Sequence, residues 1–121
     1  QSLARLEKVS SALQALGLRD RDEISASVVT ARRVFEFVLK VECCYAELEV
    51  TKSYSGMLLG DLMTVVKRGK DDKVRAELGR IAELANNFAH DTGKPVSKDT
   101  AAEVVGLITN YVRTLYTTIK R

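Results

Sequence analysis

The chain has 121 residues, 45% of them hydrophobic and 29% charged, which is the makeup of one globular domain with a single core. A single proline at this hydrophobic content excludes a disordered tract, and no apolar run approaches the roughly eighteen residues of a membrane span. Nineteen Lys and Arg against 16 acidic residues give a net charge of +3 with the signs interspersed, which permits a nucleic-acid partner without implying one.

Helical periodicity runs through nearly the whole chain, and no segment shows strand-like alternation or a hairpin turn signal. A first helix is expected from Ser2 to Leu16, with Leu3, Leu6, Leu13 and Leu16 on one side and Gly17 as its C′ residue. Asp20 or Asp22 should cap a second helix with Glu23 in its first turn. Ala31, Val34, Val38, Val41, Tyr45 and Leu48 recur there at steps of three and four, so this is expected to be the longest and most buried helix. Phe35, Phe37, Leu39 and Cys44 fall off that stripe, so the helix should touch partners on more than one side, and its apolar surface beyond one seam predicts a symmetric homodimer.

Ser53 or Ser55 is the candidate cap of a third helix carrying Met57, Leu58, Leu62, Val65 and Val66, with Gly60 favouring close packing and Gly69 ending it. Asp71 or Asp72 opens a fourth, where Val74, Leu78, Ile81, Ala85 and Phe88 keep the rhythm. Asp91-Thr92-Gly93-Lys94-Pro95 breaks it, and Ser97 caps a fifth with Ala101, Val104, Ile108, Tyr111, Leu115 and Ile119 as its seam. Short connections complete the expectation: an all-α, up-and-down helical bundle of about five helices. The chain begins with Gln1 and no leader pattern, so it is expected to be a piece of a longer protein.

The chemistry rests on few residues. His90 is the single histidine, and Asn86 lies four residues before it on the same helical face. An imidazole beside a carboxamide can move protons or hold a phosphate without a metal, while a helix-end histidine can equally cap or pack its own turn. Lys67, Arg68, Lys70, Lys73 and Arg75 surround Gly69, interrupted by Asp71 and Asp72, the pattern of a phosphate track or of a solvated helix junction. Adjacent Cys43 and Cys44 would make a strained bridge and, with no further ligands nearby, no zinc site; they read as reduced core thiols of a cytoplasmic protein. No phosphate loop, metal-ligand set or nucleophile elbow is present, so no cofactor and no metal is expected.

Several segments together resemble a known family. They are Arg32-Arg33-Val34-Phe35-Glu36 in a long apolar helix with Cys43 two turns on, Leu59-Gly60-Asp61-Leu62, and Ala85-Asn86-Asn87-Phe88-Ala89-His90 followed by a Ser97-capped terminal helix. The chain from Asp22 to Arg121 resembles a HEPN-like domain, with residues 1–17 as an accessory N-terminal helix. The resemblance implies a helical bundle, frequently dimeric, of the kind found in ribonuclease toxins, restriction-associated proteins and phage-defence systems. Active members carry an Arg, four to six residues, and then the His that corresponds to His90, with Asn86 as the accompanying polar residue. The arginine would stand at Glu83, Leu84 or Ala85, none of them cationic, and Arg80 lies ten residues before His90, about 15 Å away along the helix axis. An anionic or apolar group there cannot neutralise a phosphate oxyanion.

The resulting expectation is a non-catalytic HEPN-like bundle: a dimerisation, RNA-contact or regulatory module of a defence or nucleic-acid-processing protein. Arg80, Lys67, Arg68 and Lys70 are the candidate RNA contacts. Two alternatives stand beside it, a metal-independent endoribonuclease using His90 with Asn86, and a plain helical adaptor in which His90 is structural.

Overall fold

The computed structural model describes residues 2–45, 58–89 and 97–119, with side chains placed at 2–43, 58–86 and 97–117. Among these residues the chain is an all-α bundle of five helices: α1 (Ser2–Ala15), α2 (Arg21–Tyr45), α3 (Leu59–Val66), α4 (Asp72–Ala89) and α5 (Lys98–Ile119). No described helix is long and apolar enough to cross a membrane.

The helix starts follow from short polar side chains that satisfy otherwise unpaired N–H groups. Asp71 Oδ1 accepts from the Val74 N–H at 2.9 Å, and Ser97 Oγ accepts from the Thr100 N–H at 3.0 Å, so α4 and α5 are capped where the sequence predicts. Ahead of α2, Asp20 lends only its backbone carbonyl, to Ile24 N–H; its carboxylate turns back to accept from Gly17 N–H at 2.7 Å. That bond, with a tight Leu16 N–H to Leu13 carbonyl turn, ends α1 without the left-handed glycine expected at Gly17. Gly69, at φ 76°, is the described glycine in that region, and it closes the turn after α3.

α2 is the hub, packing against each of the other four helices, while α5 meets α1, α2 and α4. Ile24, Val28, Ala31, Val34, Phe35, Val38, Leu39 and Cys43 of α2 are buried. They meet Leu6 and Leu13 of α1, Leu62 and Val66 of α3, Leu78, Ile81 and Ala85 of α4, and Val104, Ile108 and Val112 of α5 in one continuous core. The Phe35 and Tyr111 rings pack edge to face, centroids 5.8 Å apart, and tie α2 to α5 at its middle.

Several expectations are corrected here. Phe35 and Leu39 are core residues, not extra surface, because a helix touched on several sides buries more than one stripe. Val41, expected on the seam, is 40% exposed, and of the off-stripe group whose side chains are described only Phe37 faces out, at 58%. α3 begins at Leu59, after an extended Leu58 that makes no side-chain cap bond and is 75% exposed, so Leu58 is not part of the buried set. A Cβ on Gly60 would meet nothing within 4 Å, so that glycine serves no close approach. Ser53, Ser55 and Met57 lie outside the described residues, as do the side chains of Cys44 and Phe88.

Candidate functional site

The carboxy-terminal half of α4 carries the residues the sequence singles out. Ala85 and Leu84 are buried, at 1% and 5% exposure, because they continue the Leu78–Ile81 stripe into the core. Glu83 and Asn86, on the flanks of that stripe, face solvent. His90 lies outside the described residues, so its distance from Asn86 is not part of the geometry.

Of the three positions at which an arginine would complete the family pattern, two are core and one is an exposed carboxylate. Arg80, one turn earlier, is committed elsewhere. Its Nε and one terminal nitrogen reach the two carboxylate oxygens of Glu103 at 3.2 and 3.3 Å, a forked pair that joins α4 to α5. Glu83 lies 3.9 Å from the other terminal nitrogen. The Glu103 hydrogen bond and charge raise the guanidinium pKa above its ordinary value.

The basic run is likewise partly spent. Lys70 Nζ sits 3.0 Å from Glu42 Oε2, and Arg75 pairs with Asp72 at 2.5 Å. Lys67 lies across α4, where a Cβ on Gly79 would stand 3.7 Å from its Nζ. Arg68 is exposed on the turn and is engaged with a partner of its own. Lys70 is thus held by Glu42 of α2 and Arg80 by Glu103 of α5. Among the described residues no group of three His, Cys, Asp or Glu side chains is gathered as a metal site.

One feature escapes the sequence reading. Glu42 is 5% exposed in α2, and its two oxygens are taken by Tyr111 Oη, which donates at 2.5 Å, and by Lys70. Burial, then the Glu42 hydrogen bond and charge, push the Tyr111 hydroxyl far above its ordinary pKa, so it stays a donor. The signal was present, since Glu42 follows Phe35 and Val38 on one apolar face, and a carboxylate there requires partners. Lys70 and Tyr111 also line a cleft of about 220 Å³ between α4 and α5, with Val74, Asn110 and Leu115. Its lining is largely apolar, and it stands apart from the Asn86 face.

No family model, curated protein or solved structure matches the chain.

Proposed function

We propose that the chain is a non-catalytic HEPN-like bundle that serves as an assembly module of a defence or nucleic-acid-processing protein. The observation that carries this reading is the state of the arginine position: Leu84 and Ala85 are sealed in the core, Glu83 is anionic, and Arg80 is held by Glu103. Metal-independent RNA cleavage needs a cation where charge develops on the phosphate, and removing a single such donor typically costs about a hundredfold or more in rate. The family assignment rests on the residue pattern between Asp22 and Arg121.

The test is RNA turnover in the presence of a chelator. The unmodified chain should leave single-stranded RNA intact, and His90→Ala should change nothing in that assay. Cleavage that persists in chelator and disappears in His90→Ala would overturn the reading in favour of a ribonuclease. The informative gain-of-function variant is Glu83→Arg, because position 83 is exposed and keeps the family spacing to His90, whereas Ala85→Arg would force a guanidinium into the core.

A further inference from the structure

We propose that the cleft between α4 and α5 is a binding site for a small primary amine, protonated at neutral pH, whose apolar body is about the size of one benzene ring. The apolar body lies against Val74 and Leu115, and the ammonium group is received by Glu77. This assigns the chain a small-molecule ligand, beyond the assembly reading above, and it does not depend on the family assignment.

Size sets the first limit. A cavity of about 150 Å³ accepts a benzene ring, so the roughly 220 Å³ of this cleft has room for a ring and a short arm. Val74 of α4 and Leu115 of α5 are half-buried and supply an apolar wall from each helix. The Tyr111 hydroxyl donates its proton to Glu42, so that proton is not offered to a guest.

Charge selects the guest. Among the described residues the charged side chains that line the cleft are Lys70 and Glu77. Lys70 Nζ sits 3.0 Å from Oε2 of Glu42, a carboxylate 5% exposed, so those two are neutral as a unit. Glu77 is half-buried and enters no ion pair or hydrogen bond among the described residues. Lys73, four residues before it, is exposed, is likewise unpaired among them and does not line the cleft. The cleft therefore presents one unmatched carboxylate in largely apolar surroundings, which favours a cation carried on an apolar body. Asn110, exposed on the α5 side, adds a carboxamide oxygen as a second acceptor for an ammonium. An anionic guest meets the opposite balance. Sharing the Lys70 ammonium would set a further negative charge near Glu42 and Glu77, and taking it would leave buried Glu42 with Tyr111 as its remaining donor. A neutral guest would leave Glu77 unmatched.

The experiment is a heteronuclear NMR titration of the full chain at neutral pH with three guests of closely similar shape: phenethylamine, phenethyl alcohol and hydrocinnamate. The amine should saturate below about 10 mM, with its largest amide shifts at Val74, Glu77, Asn110 and Leu115. The alcohol should bind about tenfold more weakly, because it lacks the charge that Glu77 requires, and the carboxylate should not saturate. Glu77→Gln keeps the shape of the side chain and should weaken the amine about tenfold while leaving the alcohol unchanged. Asn110→Trp places an indole at the exposed rim and should abolish binding of both, with helical circular dichroism confirming the fold of each variant. No saturable shift from the amine, shifts centred away from the cleft, an alcohol or carboxylate bound as tightly as the amine, or amine binding indifferent to Glu77→Gln would each overturn the proposal. RNA cleavage would overturn the non-catalytic reading alone.

Discussion

Glu42 shows how a buried charge is tolerated and what it demands. A carboxylate removed from water is costly unless both oxygens find donors, and here a hydroxyl from α5 and an ammonium from the turn before α4 meet that need. Tyr111→Phe keeps the ring against Phe35 but strips Glu42 Oε1 of its donor, and we expect a loss of about 1–3 kcal/mol at neutral pH. Urea denaturation measures it, and a loss under about 0.5 kcal/mol would show that the pair is not formed in solution. The pH dependence has a definite sign. The unfolded chain releases a tyrosine proton near pH 10, while Tyr111 holds its proton to higher pH in the fold. Above about pH 10 the unfolded state therefore binds fewer protons, and stability falls as pH rises further, until the folded tyrosine also ionises. Tyr111→Phe should lack that part of the alkaline decline, so the stability difference between the two proteins should narrow from pH 8 to pH 11. A sequence shows that Glu42 lies in an apolar helix, but only the meeting of three elements supplies its partners.

At the scale of the helix, what is local was legible and what depends on neighbours was not. Asp71 and Ser97 act within three residues of themselves, so their capping follows from residue type and position, and Asp71→Ala and Ser97→Ala should each cost about 1 kcal/mol in thermal or urea unfolding. Gly69→Ala forces a Cβ into the left-handed region at φ 76° and should cost about 1–2 kcal/mol by the same measurements, although the surrounding space is open. The phase of α2 was harder, since the helix touches four partners and is apolar around much of its circumference. Periodicity chose the stripe through Ala31, Val34, Val38 and Val41; the first three are buried as expected, but Ile24, Val28, Phe35 and Leu39 are buried beside them and Val41 turns outward. Leu58 failed for a related reason: an apolar residue at helical spacing reads as part of the buried stripe until the backbone is seen to be extended there. In α4 the single core-facing stripe was unambiguous, and Leu78, Ile81 and Ala85 are buried as their spacing requires.

For the molecule as a whole, the part of the chain ahead of the family resemblance matters more than its position in the sequence implies. α1 packs against both α2 and α5, and Leu6 and Leu13 have no measurable or barely measurable exposure, at 0% and 1%. Its carboxy-terminal end is tied down from α5 by Lys98, whose Nζ donates to the carbonyls of Gln14 and Leu16 at 2.8 and 2.6 Å, satisfying groups that a helix end leaves open. The periodicity of Leu6 and Leu13 was legible, but the two surfaces that receive them were not, because they lie on helices distant in the chain. Removing a buried leucine side chain costs about 2–5 kcal/mol, against a net stability of about 5–15 kcal/mol for a whole domain. Leu13→Ala should therefore lower the urea midpoint markedly without changing the slope of the transition. A chain beginning at residue 18 loses both leucines and exposes the faces of α2 and α5 that they cover, so it should lose cooperative unfolding and near-ultraviolet dichroism while retaining helical signal. If that shortened chain instead unfolds in one sharp transition near the midpoint of the full chain, α1 is an appendage and the core closes without it.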